Sequence, residues 1–166
     1  MKITVTLNGN TTILEADPDT SLMTVLRKNG LNSVKCGCGE GLCGSCTVLF
    51  NDKPAATCKI PAGITSNAQI ITLEYFKQTE EYQSIKQGFD LANISLCGYC
   101  DAGKIFSTYQ ILKMQKAPSH QQLVEQFKLL APCCTDLNSL INGVILAWDI
   151  QHKGYEQVIK SFRKRK

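Results

Sequence analysis

The chain has 166 residues, 43% hydrophobic and 19% charged, with a formal net charge of +4 and nine cysteines. That length allows one domain or two small ones with an ordinary core, and the charge is too small to argue for a nucleic-acid partner. Nine is an odd number of cysteines, which excludes complete internal pairing into disulfides and points to a compartment where thiols stay reduced.

The N-terminus, MKITVTLNGN, reads as an amphipathic strand and a turn rather than a signal peptide, and no apolar run reaches membrane-spanning length. A cytoplasmic protein with no membrane partner is expected. Ile3, Val5 and Leu7 alternate with Thr4 and Thr6, the pattern of a half-buried strand. Asn8-Gly9-Asn10 signals a hairpin, and Thr12–Ala16 returns as a second strand. Leu22, Val25 and Leu26 share one helical face, and Asn29-Gly30 stops that helix.

The next stretch, VKCGCGEGLCGSCT, is rich in cysteine and glycine and has too little side chain to pack as a helix or strand. It must wrap around something. Cys38, Cys43 and Cys46 stand as C-x4-C-x2-C, and Cys58 follows after eleven intervening residues. This is the plant-type spacing for a [2Fe–2S] cluster held by four thiolates. A zinc site would separate its cysteine pairs more widely. Cys36 is left over and reads as a free thiol. Thr47–Phe50, Ala55–Ile60 and Ile70–Leu73 read as further strands, with Cys58 carried on the middle one. Two strands, a helix, a metal loop and more strands make the order of a β-grasp, plant-type ferredoxin-like domain over residues 1–76. The cluster would contribute much of its folding free energy.

Beyond a polar stretch at Lys77–Glu81 the spacing turns helical. Helices are expected over Ser84–Ala92, Gly103–Gln115, Ser119–Leu130 and Asp136–Ile150, an all-α four-helix bundle over residues 82–152. The fold class is therefore α+β. Residues 153–166 form a basic C-terminal tail, read as a solvated end or docking strip. Trp148 is read as core or interface, and His120 and His152 as surface histidines. Cys97 and Cys100 lie at the junction of the first two helices of the bundle, and Cys133 and Cys134 at the junction of the last two. Helix N-termini favour anionic thiolates, and antiparallel hairpins would bring both junctions to one end. Four thiolates there could hold a second [2Fe–2S] cluster or a zinc ion, and spacing does not separate the two.

KCGCGEGLCGSCTV, then Cys58, then LCGYCDAG, then PCCT, resembles the two-cluster iron–sulfur subunit of the molybdenum hydroxylases, the xanthine dehydrogenase and aldehyde oxidoreductase family. The resemblance covers roughly residues 2–150. It implies an electron-transfer subunit of an oxidoreductase that carries out no substrate chemistry itself. Electrons would pass from a molybdopterin-binding large subunit through two [2Fe–2S] clusters to a FAD-binding subunit or another acceptor. It implies Cys38, Cys43, Cys46 and Cys58 as ligands of one cluster and Cys97, Cys100, Cys133 and Cys134 as ligands of the other. The alternative is a free-standing ferredoxin-like carrier or redox sensor with a degenerate second site. The chain departs from the family at Pro132-Cys133, where the family has Cys-Arg, and at Asp101-Ala102, where it has Thr-Pro. Pro132 offers no N–H to a cluster sulfur, so a lowered potential of the second cluster is expected.

Overall fold

The computed structural model describes residues 1–130 and 134–163. Among the described residues, five strands form one mixed sheet in the order β2-β1-β5-β3-β4. They are β1 (Lys2–Leu7), β2 (Asn10–Glu15), β3 (Thr47–Phe50), β4 (Lys53–Ala56) and β5 (Gln69–Ile71). β1 runs parallel to β5, and the other pairings are antiparallel. Asn8 and Gly9, at φ 51° and 84°, make the tight turn from β1 to β2. Asn51 and Asp52, at 48° and 65°, do the same between β3 and β4.

Helix α1 (Leu22–Lys28) is capped by the Ser21 hydroxyl, which accepts from Thr24 N–H. It buries Leu22, Val25 and Leu26 against Ile3, Val5, Leu14, Val48 and Ile70. β3 is buried on both faces. Val48 points into this grasp core, and Leu49 points the other way into the helical core.

The helical half comprises α2 (Leu73–Phe76), α3 (Glu80–Leu91), α4 (Asp101–Leu112), α5 (His120–Phe127), α6 (Leu137–Lys153) and α7 (Tyr155–Arg163). Its core gathers Phe76, Phe89, Phe106, Phe127 and Trp148. α3 and α6 cross closely at Gly88, where an added Cβ would lie 2.4 Å from Ala147 N.

Several boundaries differ from the sequence reading for local reasons. β4 ends at Ala56, and Cys58 sits in a 3₁₀ turn, Thr57–Lys59, not on a strand. The turn lets Thr57 donate through its hydroxyl to Cys46 O at 2.8 Å and brings Cys58 beside Cys46. β5 stops at Ile71 because Leu73 opens α2, which anchors Phe76 on Phe106 and Tyr109. The polar stretch 77–81 is only partly a linker: Thr79 caps α3, and Glu80 and Glu81 complement its N-terminal dipole. The tail is helical over Tyr155–Arg163 and buries Val158.

Candidate iron–sulfur centres

The cysteine loop runs between α1 and β3. Gly39, Gly41 and Gly44 take φ of 72°, 80° and 79°, which turns successive N–H groups inward. The N–H groups of Glu40, Leu42 and Cys43 point at Cys38 Sγ from 3.3, 3.3 and 3.4 Å. Those of Cys38 and Ser45 point at Cys43 Sγ from 3.4 and 3.5 Å. Gly41 N–H serves Cys58. Donors aimed at sulfur favour thiolates. The Cys43, Glu40 and Leu42 N–H groups, in that order, hold the Cys38 thiol down at about 6. Burial first, and then contact with Cys46, push the Cys58 thiol up to about 11. A cation beside Cys58 would reverse that.

The sulfurs sit in pairs, Cys38 with Cys43 and Cys46 with Cys58. Among the described residues, no three His, Cys, Asp or Glu side chains gather as donors for a single ion. Two pairs of thiols suit a two-iron cluster, which takes two thiolates per iron. Ser45 Oγ is buried and finds no hydrogen-bond partner among the described residues. A buried hydroxyl left so is costly. Ser45 stands between Cys43 and Cys46 in the loop, where its hydroxyl could donate a hydrogen bond to a bound cluster. The residues therefore fit the group.

The second set is built around the start of α4. Cys100 is its N-cap residue and is buried, whereas Cys97 is exposed. Gly98, at φ 81°, turns the chain between them. Cys97 N–H donates to Cys134 Sγ at 3.4 Å, so the two helix junctions do meet. Pro132 and Cys133 lie outside the described residues. Cys36 is exposed, and its carbonyl accepts from Tyr99 OH at 3.3 Å. His152 is exposed and stacks on Trp148, with ring centroids 4.1 Å apart. His120 is exposed at the start of α5.

The two sets are joined backbone to backbone. Gly103 N–H donates to Gly44 O at 3.1 Å. Lys35, in the first loop, pairs with the buried Asp101 at 3.5 Å. Sequence reasoning noted Asp101 only as a departure and passed over Ser45, Lys35 and Lys104. A lysine inside the otherwise apolar run from Ala102 to Phe106 was the available signal.

A domain family described as a 2Fe-2S iron-sulfur cluster binding domain matches residues 5–63. A second, described as a [2Fe-2S] binding domain, matches residues 72–144. The nicotinate dehydrogenase small FeS subunit of Eubacterium barkeri is 37% identical over 122 residues, 73% of this chain and 78% of that protein. The chain belongs to the iron–sulfur subunits of the molybdenum hydroxylases. A nicotinate dehydrogenase subunit of Pseudomonas putida is 33% identical to this iron–sulfur subunit, over 83% of this chain and 89% of that protein. The chain spans only 11% of the xanthine dehydrogenase of Emericella nidulans, at 31% identity. Among solved structures, quinoline 2-oxidoreductase from Pseudomonas putida 86 superposes with a TM-score of 0.81 at 29% identity, covering 93% of this chain and 97% of that one. Two distinct [2Fe–2S]-binding domains mean that this subunit carries two clusters and serves electron transfer within an oxidoreductase. Among the described residues, no helix is long and apolar enough to cross a membrane.

Proposed function

We propose that Cys38, Cys43, Cys46 and Cys58 ligate one cluster, that Cys97, Cys100, Cys133 and Cys134 ligate the other, and that residues 1–76 and 82–152 are the two domains that hold them. The chain relays electrons from a molybdopterin-binding large subunit to a FAD-binding subunit or another acceptor. It works in the cytoplasm, with no nucleic acid or membrane as partner. The observation that carries this reading is the backbone contact between the two cysteine sets, Gly103 N–H on Gly44 O at 3.1 Å. Nothing bulkier than glycine separates the loops there, so an electron has a short path.

When bound, the clusters supply one-electron redox chemistry. The rest falls to the chain. The loop N–H groups neutralise charge on Cys38 and Cys43 and so tune the first centre. Buried Cys46 and Cys100 keep water from one side of each centre. The Lys35–Asp101 pair and the Gly44–Gly103 bond fix the separation. Exposed Tyr99 and Leu42 offer apolar surface beside the cysteine loops to a neighbouring subunit.

Native purification from the source cell tests the assembly, with metal analysis and EPR of the dithionite-reduced complex. Four irons per chain, two rhombic signals and co-purifying molybdenum are expected. Two irons with one signal would remove the second ligand set. Two signals on a molybdenum-free monomer would instead favour a free-standing carrier.

A further inference from the structure

Lys104 is only 2% exposed and is among the largest fully buried side chains of the protein. It lies four residues after Cys100 on α4, hence on the same helical face. Its Nζ stands 3.0 Å from Cys100 Sγ. A lysine is almost never buried without an anion to meet it. Cys100 Sγ, a thiolate whenever it ligates iron, is one such group within reach.

We propose that the Lys104 ammonium sets the potential of the second cluster, holding it more positive than the ligand set alone would. The proposal rests on the reading of Cys100 as a ligand. Reduction adds one electron, and so one negative charge, to the cluster. A fixed ammonium on a ligand sulfur stabilises the more negative state more than the less negative one, so the equilibrium moves toward reduction. The setting strengthens the effect. Phe127, Leu130, Leu137 and Leu140 line the cleft beside Lys104, with Thr135 and the cation Lys128 also on it, and its mainly apolar walls screen a charge poorly. The nearby anion Asp101 has its own cation in Lys35. Lys104 thus works against the loss of an N–H at Pro132, which alone argues for a lower potential. It is a tuning residue that acts through Cys100, not a catalytic one.

The test is an EPR-monitored redox titration of the full chain in its native complex, comparing wild type with Lys104→Met and Lys104→Gln. In Lys104→Met, the reduction equilibrium of the second cluster should fall at least tenfold, ~59 mV for one electron. The first cluster should move less. Lys104→Gln keeps a hydrogen-bond donor but no charge, and it should fall in the same direction. Wild-type protein labelled with ¹⁵N at the lysine side-chain nitrogen only should also show nitrogen coupling on the second signal, a readout that needs no variant to fold. Two intact signals with an unmoved second midpoint in either variant would overturn the proposal, as would absence of the lysine coupling. Only one cluster signal in the wild type would show instead that the ligand reading has failed, and the proposal would fall with it.

Discussion

Gly44 and Gly103 touch through their backbones: a Cβ built on Gly103 would lie 2.8 Å from Gly44 Cα, and one built on Gly44 would lie 3.1 Å from Gly103 Cα. One is in the loop of the first cysteine set and the other in the opening turn of α4, directly after the second. Neither neighbour is the end of a flexible side chain, so neither can swing away. Gly103→Ala must push the two elements apart and stretch the hydrogen bond that joins them. The expected cost is about 1–3 kcal/mol, the range for overpacking. The expected signature is a lower Tm together with weaker magnetic coupling between the two cluster signals. A variant with unchanged Tm and unchanged coupling would show that the contact does not set the separation.

The first cysteine set should behave as a unit. Cys58→Ser should cost the chain the iron of its first cluster and leave that of the second. It should also loosen the Val34–Thr47 loop, which has little core of its own beyond Val34 and Cys46. Exposed Cys36→Ser is the matched control and should keep both clusters. Iron analysis and amide exchange across the loop check both. Full iron content in Cys58→Ser would remove that residue from the ligand set. Removing iron from the wild type with a chelator should loosen the same loop.

The parts of the fold legible in the sequence were those fixed by neighbours along the chain. Ile3 and Val5 alternate and are both buried, the Asn8-Gly9 turn has the positive φ its residues invite, and Leu22, Val25 and Leu26 form the buried face of α1. Thiol spacing likewise marks the first loop, because its glycines and cysteines act within nine residues. What escaped depends on partners far away in the chain. Leu49 could not be seen to face the helices, since β3 reads the same whichever side is covered. Cys58 left its strand because Thr57 reaches back to Cys46. Lys104 broke the apolar pattern of α4, and only the position of Cys100 gives that break a meaning.

The crossing of α3 and α6 supplies a sharp stability prediction. A methyl at Gly88 would meet Ala147 N at 2.4 Å and Ala147 Cα at 2.6 Å, both backbone atoms. Helix propensity alone would make Gly88→Ala stabilising by about 0.5–1 kcal/mol. Packing opposes this, because rigid helices can relieve such an overlap only by separating. Packing should win, with a net loss of about 1–3 kcal/mol. Chemical denaturation of the iron-loaded protein measures the sign. A stabilised Gly88→Ala would mean that α6 can shift without cost. The same substitution should leave the EPR of the first cluster unaltered, since the crossing is remote from that loop.

Glu74 ties the N-terminal half to α2. Its carboxylate accepts from the Ser33 backbone N–H at 2.6 Å and also from the Ser33 hydroxyl. Burial pushes this carboxyl up, but the two Ser33 bonds, with help from Thr72, outweigh burial and hold it below the usual glutamate range. The folded value is therefore depressed below the unfolded one. The stability that follows is fully present above the unfolded glutamate pKa and is lost as pH falls through the folded value. Glu74 is exposed, so the effect is screened and should stay below about 1 kcal/mol. The measurement is a pair of melting curves, wild type against Glu74→Gln, at several pH values. Near neutrality Glu74→Gln should melt lower, by an amount that salt reduces. Toward the acid side the difference should close, because the wild-type carboxyl then becomes protonated and donates where it had accepted. Comparing the two chains at each pH cancels any acid lability of the clusters themselves. A difference that stayed constant across the carboxylate range would mean that the Ser33 contact contributes through packing rather than charge.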